Sequence, residues 1–130
     1  MIVNNSNSDI TILFLEDEIA IAEMYKNILS RRGYNVIVKH NGEECIEYLN
    51  NQKNPDIIIL DLNLPGITGV DVLKSIRFKK KTKNIPVIIH SVRGIKQTDE
   101  ILQTLNVQAY IEKPVLPDVI ISEIKKILKV

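Results

Sequence analysis

The chain has a single cysteine, Cys45, so no internal disulfide is available and a reducing compartment suits it. It has no excess of either charge: 17 Lys and Arg stand against 16 Asp and Glu, a formal net charge of +1. That balance excludes nucleic-acid binding driven by the charge of the chain as a whole. No apolar run is long enough to span a bilayer. The opening MIVNNSNSD has neither the basic start nor the apolar stretch of a secretory signal. Internal repeats, low-complexity tracts and interdomain linkers are missing too. What remains is the balance of an ordinary globular protein, 45% hydrophobic and 25% charged, in 130 residues. The expected organisation is a polar N-terminal tail over 1–9 and one domain over 10–130, in the cytoplasm.

Short apolar runs alternate with segments of helical period. TILFL (11–15), NVIV (35–38), IIIL (57–60), PVIIH (86–90) and AYI (109–111) are predicted strands. The helices after them carry, in turn, Ile21, Tyr25, Ile28 and Leu29; Cys45, Ile46 and Leu49; Val70, Leu73 and Ile76; Ile101, Leu102 and Leu105; and Ile120, Ile124 and Leu128. Gly33 is a C-terminal stop, Asn41 with Glu44 a capping box, and Pro117 the start of the last helix. Cys45, on an apolar helix face, reads as a small core residue. Five such units predict an α/β fold, a doubly wound five-stranded parallel sheet of (βα)5 type with helices on both faces. The unbroken IIIL fits a strand buried on both sides. The basic run RFKKKTK (77–83) falls in a helix-to-strand connection and reads as a solvated loop, ahead of a phosphate or nucleic-acid patch.

Asp61 stands out against this background. It ends the most buried strand, where a carboxylate leaving water is costly unless it is paired, metal-bound or functional. In open parallel sheets, sites form at the carboxyl ends of the strands. Strand one ends in Glu16-Asp17-Glu18, strand two in Lys39-His40, strand three in Asp61 and strand four in His90-Ser91, while strand five leads to Lys113-Pro114. If the order is 2-1-3-4-5, Glu16, Asp17 and Asp61 converge and repel one another unless a cation joins them. Hard oxygen ligands with room for water suit Mg²⁺. Lys113 and Ser91 would complete a site for a transferred phosphoryl group, with Asp61 the nucleophile that becomes an aspartyl-phosphate. Glu18 reads as a first-turn acid favoured by the helix dipole.

The motifs LEDE, ILDLNLPGITG, HS and YIEKP follow one another at intervals of 44 (17 to 61), 30 (61 to 91) and 22 (91 to 113). In this the chain resembles the receiver domains of two-component response regulators, in their single-domain, chemotaxis-regulator-like form, over nearly its whole length. The resemblance implies a flavodoxin-like fold with strand order 2-1-3-4-5. It also implies that Asp61 accepts the phosphoryl group, that Asp17 binds Mg²⁺ directly and Glu16 through water, and that Lys113 pairs with the phosphoryl oxygens. Asn63 would lend the metal its backbone carbonyl, so that its side chain matters less. Ser91 and Tyr110 would form the switch pair, and the Lys113–Pro114 bond would be cis.

Four residues depart from the family pattern. Glu16 stands where many relatives have Asp. His90 replaces an aliphatic residue and reads as a hydrogen-bonded packing histidine. Val92 is bulkier than the alanine often found there, and Val115 replaces a common aromatic. The function implied is a phosphorylation-dependent switch. A histidine kinase or phosphotransfer protein would load Asp61, and the surface of the fourth helix, fifth strand and fifth helix would change to control a downstream protein or a homodimer. No DNA-binding segment and no membrane segment follow the last helix, so output is expected through protein binding. No enzymatic activity is expected beyond Mg²⁺-dependent self-phosphorylation and autodephosphorylation. An enzyme acting on other molecules would need a cap or substrate-binding segment, and an inert module would not need the carboxylates and Lys113.

Overall fold

Valine, isoleucine and leucine fill most of the positions in five short strands: β1 (Thr11–Leu15), β2 (Asn35–Lys39), β3 (Ile57–Leu60), β4 (Val87–Ser91) and β5 (Ala109–Glu112). The computed structural model describes residues 9–92, 100 and 103–130, and in it the strands form one sheet in the order β2-β1-β3-β4-β5. All four neighbouring pairs are parallel. Strand order reverses between β1 and β3, whose register sets Leu15 beside Leu60 and so brings residues 16–17 and 61 to one place. β4 starts one residue later than expected. Pro86 has no N–H to give the ladder, although its carbonyl still accepts from Ile58 N–H at 2.9 Å. At its other end the strand runs one residue further than expected and finishes at Ser91.

Four described helices cover the sheet: α1 (Ile19–Arg31), α2 (Gly42–Asn51), α3 (Gly69–Phe78) and α4 (Pro117–Leu128). Alternate strand residues face opposite ways. Leu13, Leu15, Ile58, Leu60 and Ile89 pack with α2 and α3, while Ile12, Phe14, Ile57, Ile59 and Ile88 pack with α1 and α4. Tyr25, Leu29, Cys45, Leu49, Leu73, Ile76, Ile120 and Ile124 are buried as expected, and Val72 joins them. Ile21, Ile28, Ile46, Val70 and Leu128 lie at the margins of the two cores. Ahead of β5, Glu100, Gln103 and Thr104 are helical and Leu105 is buried. The expected core residues Ile101 and Leu102 lie outside the described residues, as does the tail up to residue 8.

Turn chemistry sets the loops above the sheet. Gly33 ends α1 at φ 94°, with Tyr34 N–H returning to the Leu29 carbonyl at 3.2 Å. Asn41 Oδ1 accepts from Glu44 N–H at 2.9 Å. The Glu44 carboxylate, however, returns to His40 N–H at 3.4 Å, one residue before the box expected from the sequence. A complete capping box sits instead at Thr68 and Asp71, opening α3. The next residue, Gly69, has no room for a side chain, since a Cβ there would collide with the Asp61 carbonyl oxygen. Glycine thus lets the start of α3 lie directly on the end of β3.

At the opposite end of the sheet the basic run is not simply solvated. Arg77 donates to the carbonyls of Leu105 (2.6 Å), Ile85 (2.7 Å), Asn106 (2.9 Å) and Lys83 (3.0 Å). Lys81 Nζ donates to the Leu49 and Gln52 carbonyls at 2.6 and 2.7 Å, closing the C-terminal end of α2. Thr82 Oγ1, buried, donates to the Ile76 carbonyl at 2.7 Å.

Candidate functional site

The sheet places five of the sequence-predicted residues within one hydrogen-bonded cluster. Glu16 follows β1 and is fully buried, and Asp61 follows β3 and is nearly so. Lys113, just past β5, donates from one ammonium to Glu16 Oε1 at 2.6 Å and to Asp61 Oδ2 at 2.9 Å. Its own backbone N–H is tied to the Ser91 carbonyl at 2.8 Å, and the Lys113–Pro114 bond is cis as expected. The other carboxylate oxygen of Asp61 accepts from Asn63 N–H at 2.8 Å and from Ser91 Oγ at 3.1 Å. Asn63 takes a larger part than the sequence suggests, because its side-chain Nδ2 also donates to Ser91 Oγ at 3.0 Å.

Burial and pairing oppose one another here. Loss of water raises the Glu16 carboxyl above its ordinary value, although hydrogen bonds from Lys113 and from Glu18 N–H pull it down. For Lys113, burial lowers the ammonium, but hydrogen bonds and charge from Glu16 and Asp61 outweigh it and leave it raised. The cation is therefore held firmly, and Glu16 is the easier of the two to neutralise. Asp17 is half-buried and closes the group: oxygens of Glu16, Asp17 and Asp61 lie within 4.8 Å of one another. Three hard carboxylates at that spacing, one of them open to solvent, fit a small divalent cation such as Mg²⁺. Glu18 is the exposed N-cap of α1 and contributes its backbone N–H to Glu16 Oε2 at 3.2 Å.

The supporting roles of His40 and Tyr25 could not be found from spacing. His40 Nδ1 lies 3.0 Å from the Glu16 carbonyl oxygen, reaching across from β2. Tyr25 of α1 donates to the Val115 carbonyl at 3.3 Å, tying the helix to the segment after Lys113. Tyr110, half-buried on the core, donates its hydroxyl to the Val92 carbonyl at 3.1 Å, one residue beyond Ser91. His90 is buried and packs edge-on against Phe14 and Tyr25 with centroids 6.1 and 5.3 Å away. The expected hydrogen bond is not made: among the described residues neither ring nitrogen has a hydrogen-bond partner. Burial, aided by nearby Lys113, pushes its pKa down to about 4, so the ring is neutral.

Comparison with known proteins agrees with this arrangement. Residues 12–125 match the response regulator receiver domain. The chain is 32% identical over 119 residues to the transcriptional regulatory protein CpxR of Escherichia coli (strain K12), covering 91% of this chain and 49% of that protein. It thus spans about half the length of the curated relatives it matches first. It is 28% identical to the polar-differentiation response regulator DivK of Brucella anthropi, covering 91% of this chain and 95% of that one. A CheY-like receiver domain from Methanospirillum hungatei superposes with a TM-score of 0.85 at 25% identity, covering 92% and 94% of the two chains. With the sheet order, the acidic cluster and the family match in agreement, the chain belongs to the response regulator receiver domain family of two-component signalling.

Proposed function

We infer that this domain, residues 10–130 behind a polar tail, is a switch driven by phosphorylation of Asp61. The observation that carries the reading is the division of labour around one carboxylate. Lys113 holds Asp61 Oδ2, while Ser91 Oγ and Asn63 N–H hold Oδ1. A carboxylate oriented in this way can attack the phosphorus of a phosphohistidine. The new O–P bond forms as the P–N bond breaks, and the imidazole nitrogen leaves with the electron pair. Lys113 stays beside the added oxygens and offsets their charge. Mg²⁺ held by Glu16, Asp17 and Asp61, with the Asn63 carbonyl, would supply further positive charge at the phosphoryl oxygens. A histidine kinase or phosphotransfer protein is the donor.

The Ser91 hydroxyl already points at Asp61, so the switch needs an exchange of hydrogen-bond partner and no inward travel. When that bond moves to a phosphoryl oxygen, the neighbouring Val92 carbonyl moves with the strand end, and Tyr110 is bonded to it. The surface around β5 and α4 then has two packings, and a downstream protein or second copy that prefers one of them gains affinity. The test is labelling by a small phosphodonor with and without Mg²⁺. Wild-type protein should gain one phosphoryl group only with the metal, and Asp61→Asn none. Multiple turnover of the donor without a stable product would favour an enzyme, and normal labelling of Asp61→Asn would end the assignment.

A further inference from the structure

The end of the sheet away from Asp61 carries charge that the switch does not use. No acidic residue lies between Asp71 and Lys83, and this stretch has six cations: Lys74, Arg77, Lys79, Lys80, Lys81 and Lys83. Two of them are engaged by the fold, since Arg77 and Lys81 satisfy backbone carbonyls. Lys79 donates to a neutral group, Asn50 Oδ1, at 2.8 Å. Among the described residues the ammonium groups of Lys80 and Lys83 make no hydrogen bond or ion pair, and both side chains are exposed. The same is true of Lys53, just past Gln52, whose carbonyl Lys81 holds.

In the middle of these cations stands Phe78. It is the last residue of α3 and is 77% exposed, the most exposed of the large apolar side chains described. The core positions of α3 are already taken by Val72, Leu73 and Ile76. An aromatic ring projecting from a tip flanked by long cationic side chains is suited to a particular kind of partner. The ring can enter an apolar layer while the lysines remain at a negatively charged boundary. Among the described residues Phe78 is the one aromatic in the set of exposed large apolar side chains, whereas a single nucleic-acid strand needs a row of stacking rings.

We propose that Phe78 with Lys53, Lys79, Lys80 and Lys83 forms a contact for an anionic lipid surface. The contact proposed is a peripheral one; no described helix is long and apolar enough to cross a membrane. Docking by this end leaves the strand ends with Asp61 and Lys113 facing away from the lipid, open to a phosphodonor. The attachment is weak and reversible, because each lysine contributes only about a fivefold gain near an anionic surface.

The experiment is sedimentation of the whole chain with phosphatidylserine–phosphatidylcholine vesicles and with pure phosphatidylcholine vesicles. Binding is expected only to the former and should fall as salt is raised. Lys80→Gln with Lys83→Gln should weaken it about twenty-fivefold, and Phe78→Ala about tenfold. All variants should keep wild-type labelling by the small phosphodonor, which separates loss of the contact from loss of the fold. Three results would overturn the proposal: no binding to the anionic vesicles, equal binding to both kinds, or a Phe78→Ala variant that binds as well as wild type. Tighter binding to a single-stranded oligonucleotide than to the anionic vesicles would overturn it as well.

Discussion

The two ends of the sheet handle charge in opposite ways. Where the strands finish, Glu16, Asp17 and Asp61 crowd together against one ammonium, and burial works against the Glu16 carboxylate. Where the strands begin, Arg77 and Lys81 meet no carboxylate among the described residues. They reach the carbonyls that helices and loops leave without partners. The first arrangement keeps like charges close at some expense of stability, as functional sites commonly do. The second stabilises the fold and has no chemistry. Charge density alone therefore does not distinguish a site from a clamp; the partners of each charge do.

Three substitutions sharpen or break this contrast. Arg77→Met should cost the most, about 3 kcal/mol, because it leaves several carbonyls without a charged donor. Urea unfolding should show the loss, while phosphodonor labelling of the folded variant stays normal. A cost near zero would mean that water replaces the guanidinium and that the clamp is dispensable.

His90 lies between the two cases, a buried base with no partner. Its pKa is depressed from 6.5 to about 4, so the unfolded chain binds a proton that the folded chain refuses. That contribution to stability is present above pH 6.5 and is lost as pH falls towards 4. Between pH 7 and pH 5 the wild type should lose about 2 kcal/mol through this group. His90→Leu, close in volume and without orphaned nitrogens, should remove that part of the pH dependence. Identical pH profiles by urea unfolding would show that His90 finds a partner in solution.

Asp17→Ala should have the smallest effect on stability and the opposite sign to Arg77→Met. Removing one of three mutually repelling carboxylates should raise stability by about 1 kcal/mol and abolish Mg²⁺-dependent labelling. If the variant is both less stable and fully labelled, the crowded carboxylates do not form a functional cluster.

Much of this could be read along the chain because the signals are local. Five apolar runs, their helical spacers and Gly33 depend on near neighbours, and all the predicted strands stand within one residue of where they were expected at each end. The Thr68 and Asp71 box is equally local, a threonine followed three residues later by an acid. The parts of Asn63 and Tyr110 came with the family resemblance, whereas Glu16, Asp17, Asp61, Ser91 and Lys113 are legible from the rule that sites gather at strand ends. Their meeting then follows from the strand order, which sets Leu15 beside Leu60.

What the sequence by itself determined was the set of groups: which residues end each strand, and hence which carboxylates, hydroxyl and ammonium were available. Only the tertiary structure decided the partners. It assigned one Asp61 oxygen to Lys113 and the other to Ser91 and Asn63, left both His90 nitrogens without a bond, and turned Arg77 from a member of a basic run into a clamp. The physical reason is range. Backbone preference and hydrophobic period act over a few residues, whereas a hydrogen bond needs two groups within about 3 Å, in the right orientation. Pairs such as Lys113 and Glu16, or Arg77 and Leu105, are brought to that distance only by the packing of the whole sheet.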